Sequence, residues 1–180
     1  LAIFLTVNSS SQQVRIIAIH PSAEQRATVG GWVRGAEKPT VTLIEYADIQ
    51  CPGCAAINPI IDQAMAATGD YVQYQYRHYL IPGHNKARLA AEAAEAAGRQ
   101  GKFKEMVDYL FATQSSWAQE TTFTFKDIVT KYAQSLNLNM DQFKADQADS
   151  SVDDLIDKDI TAANEIQIKG TPSLIINDVM

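Results

Sequence analysis

Residues 41–80 carry the pattern that most restricts the fold. Val41, Thr42, Leu43, Ile44 and Tyr46 make Thr40–Ala47 a nearly unbroken β-branched, apolar and aromatic run. Such a run reads as a strand covered on both faces, the habit of parallel sheets. A loop of Asp48, Ile49 and Gln50 follows, leading to Cys51. From Cys54 to about Thr68 the spacing turns helical, with Ile57, Ile61, Ala64 and Met65 on one side and Gly69-Asp70 as the stop. Tyr71–Leu80 then alternates, Val72, Tyr74, Tyr76 and His78 against Gln73, Gln75 and Arg77, and predicts a second strand. Strand, helix, strand is a βαβ unit, whose crossover is expected to be right-handed.

After Pro82 and Gly83 the period changes. Helices are predicted over Lys86–Ala97, ending at Gly98, over Lys102–Gln114, over Phe125–Ser135 and over Ser151–Ile168, with a short turn or helix at Asn137–Phe143. Gly170-Thr171-Pro172 interrupts, and Ser173–Ile176 reads as a strand returning to the sheet. At 180 residues, against roughly 150 per domain, this is one domain. A chain of this size buries about 70% of its unfolded surface, enough for a core without disulfide staples. With 46% hydrophobic and 20% charged residues the chain is not disordered.

The net charge of −6 supplies no basic footprint, so nucleic acid and anionic membrane surfaces are poor partners. Between Asp141 and Glu165 stand eight acids and two lysines. The stretch is read either as an acidic docking face or as a solvated helix face. The sequence opens at Leu1 without a methionine. Its apolar run Leu1–Val7 is read as the tail of a signal anchor whose beginning is missing, or as a short strand. Arg15–Ile19 is a further candidate strand, and His20, Pro21, Gly30, Gly31 and Gly35 punctuate a connector. Residues 1–38 are accordingly expected to be anchor tail and linker.

The chain has two cysteines, and they form Cys51-Pro52-Gly53-Cys54. Residues three apart on a helix share a face, close enough to bridge after slight adjustment. Pro52 suits a first helical turn, which puts Cys51 at the amino end beside free N–H groups and the positive end of the dipole. That environment favours thiolate. Cys54, one turn inside, suits the resolving of a mixed disulfide. Three other readings compete. One is a zinc site, although His20, His78 and His84 stand at no metal spacing to the pair. The others are a structural bridge across a very small loop and two inert thiols. Gly170-Thr171-Pro172 is the second element, since a proline just before a strand cannot donate to the ladder and is a candidate for a cis bond.

Val41–Cys54 resembles the redox motif of the DsbA family of thioredoxin-fold oxidoreductases. His84–Phe111, with its alanine-rich helix and Gly98-Arg99-Gln100-Gly101-Lys102-Phe103, is similar to that family's helical insertion, and Gly170-Thr171-Pro172 to its cis-proline loop. The likeness covers about Val33 to the end. It implies an α/β thioredoxin fold over residues 39–180, with an inserted helical domain at about 84–168. The closing C-terminal hairpin strand and helix are expected to be truncated, because the sequence stops at Met180. It also implies Cys51 as nucleophile, Cys54 as resolving thiol, and a substrate groove of Thr171, Pro172, Pro52 and Gly53, where Thr171 offers its backbone to an extended peptide.

The chain departs from the family's strong oxidants in having Pro52-Gly53 where they have Pro-His, and Gly53 has no side chain to stabilise a thiolate. Glu45 resembles the family's buried acid and is a candidate proton relay to Cys54; the alternative is a glutamate paired with Arg77. His78 and His84 are read as structural.

The expected function is thiol–disulfide exchange through a Cys51–Cys54 disulfide with reduced secreted or cell-envelope proteins, with the chain as oxidant. No metal or organic cofactor is expected. A redox partner would reoxidise the pair, and an oxidising, extracytoplasmic location with an N-terminal tether follows. A reductase or isomerase using the same residues, and a non-catalytic peptide-binding module, are the rivals. Only the last would survive Cys51→Ser.

Overall fold

The structure, a computed structural model, describes residues 32–177. Strands β1 (Trp32–Gly35), β2 (Val41–Ala47), β3 (Val72–His78) and β4 (Ser173–Ile176) form one sheet in the order β1-β3-β2-β4. β2 and β3 run parallel, in register from Val41↔Val72 to Ala47↔His78. Helix α1 (Pro52–Thr68) is their crossover. β1 lies antiparallel on β3, and β4 antiparallel on β2. Between β3 and β4 the chain forms α2 (Ala87–Gly98), α3 (Phe103–Ala112), α4 (Gln114–Trp117), α5 (Thr122–Ser135), α6 (Met140–Gln147) and α7 (Ser150–Glu165).

The period of two along β2 explains both layers. Leu43 and Ala47 pack with Tyr74, Tyr76, Ile61, Phe103, Met106 and Leu110 into the main core, which continues through Trp117 and Phe125 into the helical block. Ile44 and Tyr46 point the other way and pack with Ala163, Ile166, Ile168 and Ile175. A strand buried on both faces has no polar side to show, which is why Val41–Ala47 reads as continuous. In α2, Ala90, Ala91, Ala93, Ala94, Ala96 and Ala97 are all fully buried. Their small side chains let neighbouring helices approach closely.

Three sequence expectations are corrected. The sheet begins at Trp32 and not at residue 39, since β1 pairs Trp32↔Tyr76 through Gly35↔Gln73. Four residues ending in a glycine at φ +97° show no strand pattern of their own; pairing with β3 makes the strand. The helix expected over Lys102–Gln114 is two helices, broken at Thr113, whose φ of −109° and ψ of 10° leave the helical region. Arg77 does not meet Glu45. It pairs with Asp159 of α7 at 3.2 Å, both side chains buried, while Asp159 also accepts the His78 N–H at 2.9 Å. Successive residues of a strand face opposite sides, and Tyr46, not Glu45, is the β2 residue in register with Arg77. Leu1–Val7, Arg15–Ile19 and His20 lie outside the described residues.

The acidic stretch is largely matched from within. Arg99 bonds Asp146 and Asp149 at 2.8 and 2.7 Å, and Arg88 bonds Asp153 and Asp157 at 2.9 and 2.5 Å. These pairs clip α6 and α7 to α2. Exposed pairs of this kind contribute little each.

Gly98, read as a helix breaker, closes α2 for a different reason. Its Cα faces the Trp32 indole, which is fixed by stacking on Phe103 at 4.7 Å and by donating Nε1–H to Glu95 at 2.8 Å. A methyl at position 98 would overlap that ring. Gly98→Ala gains ~1 kcal/mol of helix propensity but overpacks a fixed indole, a cost of about 1–3 kcal/mol. Urea unfolding should therefore show a net loss of stability, and a net gain would contradict the packing described.

Candidate active site

The parallel β2–β3 pairing sends the chain off the carboxyl end of β2 into a short loop before α1. That loop is held from three directions. Asp48, fully buried, accepts the N–H groups of Gln50 and Ile81 at 2.7 and 2.8 Å and the Nδ1 of His84 at 2.8 Å. Gln50 Oε1 accepts the Lys86 N–H at 2.7 Å. Gln114 of α4 donates to the carbonyls of Ile49 and Cys51 at 2.7 and 3.1 Å. The Cys51 N–H closes a turn onto the Asp48 carbonyl at 2.9 Å. Cys51 is thereby left extended (φ −78°, ψ 122°) as the N-cap of α1, with Pro52 as its first residue.

Both cysteines are free thiols, Cys51 partly exposed and Cys54 fully buried. Their environments drive them apart. The Cys51 thiol is lowered to about 5, first by the hydrogen bond from the Cys54 thiol and then by the Thr171 side chain and the N–H groups of Cys54 and Gly53, against the opposing effect of burial. Cys54 is pushed far above the ordinary thiol range, by burial first and then by its neighbour's sulfur. With Gly53 between them, backbone and neighbouring hydroxyl and thiol groups stabilise the thiolate without any histidine.

β4 brings in the second element. Its antiparallel register sets Ser173 opposite Tyr46, so the residues just before it lie at the start of α1. The Thr171–Pro172 peptide is cis, and the Thr171 carbonyl lies 3.4 Å from Cys51 Sγ. The Thr171 hydroxyl is buried without a hydrogen-bond partner.

Glu45 lies on the other side of Cys54, buried on β2 in register with Tyr76. Tyr74 donates to its Oε2, and Oε1 has no partner. Burial raises its carboxyl to about 7, outweighing the Tyr74 hydrogen bond and the attraction of Arg34. Tyr74 and Tyr76 also line a cavity of about 200 Å³ with Trp32, Asn58, Phe103 and Val107, room for several waters at ~30 Å³ each. His78 is bonded to Glu95 at 2.9 Å and His84 to Asp48, and neither has a hydrogen bond to a cysteine. Among the described residues no cluster of His, Cys, Asp and Glu is arranged to hold a metal ion.

A family model described as Thioredoxin matches residues 27–180. The chain belongs to the thioredoxin family. Within it the fold is of the DsbA-like kind. BdbD of Bacillus subtilis, in its oxidised form, superposes with a TM-score of 0.73 over 92% of this chain and 89% of that one, at 24% identity. DsbA2 of Pseudomonas aeruginosa superposes with a TM-score of 0.67 over 81% and 79%, at 26% identity. Among curated sequences, the Na(+)/H(+) antiporter NhaA 3 of Salinispora tropica is 37% identical over 148 residues, 81% of this chain and 21% of that protein. This thioredoxin-family chain thus spans about a fifth of the length of the curated relative it matches.

Of the residues singled out in the sequence, Cys51, Cys54, Gly53, Thr171 and Pro172 come together around one sulfur pair, Pro52 stands exposed beside it, and Glu45 lies beneath. Asp48 and Gln114, which shape the loop, carry no sequence signal beyond a polar residue beside apolar ones.

The two acidities have opposite consequences for stability. Cys51 titrates below a free thiol at ~8.5. It therefore adds stability to the dithiol form that is complete above that value and is lost as pH falls through about 5. Glu45 titrates above a free carboxyl at ~4.3, so its contribution is complete below that value and is lost as pH rises through about 7. Denaturation of the dithiol protein from pH 4 to 9 should show the first trend strengthened in Glu45→Gln, which removes only the second. At pH 7 iodoacetamide should label Cys51 and spare Cys54; equal labelling would contradict the asymmetry.

Proposed function

We propose that the chain is a thiol–disulfide oxidoreductase that works as an oxidant of extracytoplasmic protein thiols. The observation that carries this reading is the split acidity of the pair, with Cys51 lowered to about 5 and Cys54 driven the other way. A stabilised thiolate is a good leaving group, and it favours the reduced enzyme and hence oxidation of the substrate. Likeness to DsbA2 of Pseudomonas aeruginosa supports the same reading.

In the oxidised enzyme a substrate thiolate attacks Sγ of Cys51 and the Cys51–Cys54 bond breaks. Cys54 departs as thiolate and takes a proton from Glu45, whose raised value keeps it partly protonated near neutrality. Tyr74, which lines the cavity and donates to Glu45, is the link through which water entering that cavity would return the proton. A second substrate thiolate then attacks the substrate sulfur of the mixed disulfide, and Cys51 leaves as thiolate. The substrate loses two electrons to form its disulfide, and the enzyme's disulfide becomes one thiolate and one thiol. Thr171, Pro172, Pro52 and Gly53 form the surface against which the substrate strand lies, with the Thr171 backbone offered for strand addition. A separate redox protein restores the disulfide.

An oxidising compartment is required for this direction. Relatives in which a similar sequence is a fifth of an antiporter chain support a position beside a membrane. No helix among the described residues is long and apolar enough to cross one.

If the chain is an oxidant, the dithiol form should melt above the disulfide form, and equilibrium with a glutathione buffer should lie toward the reduced enzyme. Cys51→Ser should abolish oxidation of a reduced, unfolded secreted protein. A disulfide form that melts higher would reverse the direction and make the chain a reductase. Peptide binding at the Pro172 groove that survives Cys51→Ser, with no exchange by the wild type, would leave only a binding module.

A further inference from the structure

Gln114 is nearly buried and sits on a four-residue helix in the helical block, yet its side chain serves a loop 63 residues earlier. Its two partners, the carbonyls of Ile49 and Cys51, are both acceptors. Only the NH₂ end of the amide fits between them, which fixes its orientation. The backbone of α4 is itself locked. Trp117 is fully buried, donates Nε1–H to the Leu110 carbonyl at 2.9 Å and packs on Phe125 with ring centroids 4.6 Å apart. Tyr132 of α5 donates to the Thr113 hydroxyl at 2.8 Å. A rigid amide therefore ties both loop carbonyls to the helical block, and the Cys51 carbonyl accepts the Ala55 N–H of α1 at 3.1 Å as well.

We infer that Gln114 is the positioning residue through which the helical block keeps the start of α1 aimed at the Cys51 sulfur. The inference rests on the exchange function proposed above and adds its means of control. The Cys51 carbonyl belongs to the same residue as the sulfur, so fixing it fixes the ψ that points the Gly53 and Cys54 N–H groups at Sγ. The Ile49 carbonyl, in a residue 1% exposed, has Gln114 as its hydrogen-bond partner. Without that donor the buried carbonyl must turn to find another, carrying the loop with it and bringing negative carbonyl ends nearer the thiolate.

The test compares wild type with Gln114→Met, which keeps length without donors, and Gln114→Glu, which offers acceptors to acceptors. The readouts are the thiolate absorbance titration of Cys51 and the glutathione equilibrium. Each variant should raise the Cys51 midpoint by about one pH unit, which at pH 7 corresponds to about a tenfold shift of the equilibrium toward the disulfide. A purely structural role would destabilise both redox forms alike and leave the midpoint unmoved. Should either variant fail to fold, the wild-type protein still decides the matter. The Gln114 side-chain amide NMR signals should titrate with the Cys51 midpoint, and signals that stay fixed overturn the inference. A wild-type midpoint near that of a free thiol overturns the exchange reading and this one together. A wild-type midpoint near 5 that neither folded variant moves removes the role of Gln114 alone.

Discussion

The parallel pairing of β2 with β3 is the constraint on which the other features rest. Two parallel neighbours cannot be joined by a tight turn, so the chain must leave the carboxyl end of β2 and cross over as a helix. The amino end of that helix, with its unpaired N–H groups, is thereby fixed at the end of the sheet where β4 returns antiparallel on the other side of β2. Any side chain at the N-cap of α1 stands between the helix end and the loop preceding β4. In this protein that side chain is Cys51.

The face of the sheet beneath the site is more polar than a core face usually is. Glu45, Tyr74, Tyr76 and His78 share it, and His78 and Trp32 meet on one oxygen of Glu95. Glu45 Oε1, Tyr76 Oη and His78 Nδ1 are buried there without partners. Unpaired buried polar atoms are costly, and native structures retain them where function requires it or where water completes them. Of the three residues Tyr76 lines the cavity, and Tyr74, which lines it too, donates to Glu45, an arrangement that fits a site where a proton must reach a thiol sealed from solvent.

The helical block contributes to the site as well as to the core. Its anchors on the loop before Cys51 come from separate places: Ile81 and His84 after β3, Lys86 before α2, and Gln114 on α4. A short loop held by groups from three segments loses the freedom that would blur the alignment of the helix end with the sulfur. The block in turn is tied back to the sheet by the buried Arg77–Asp159 pair.

The sequence by itself determined the βαβ unit, the helical block, the returning strand and the cysteine pair at a helix start. Each of these is written in local periodicity or in the spacing of neighbouring residues, as in the continuous run of Val41–Ala47 or the single turn between Cys51 and Cys54. It also singled out Glu45 and Pro172, through resemblance more than pattern. Tertiary structure decided the rest. Trp32–Gly35 became a strand because β3 had a free edge. Arg77 found Asp159 rather than Glu45 because alternate residues of a strand face opposite sides. Gly98 closes a helix because an indole from β1 occupies the space of its missing methyl. Gln114 reached the redox loop because helix packing brought together residues more than sixty positions apart. These outcomes depend on which surfaces meet, and that information lies in the relative placement of distant segments, not in any window of the chain.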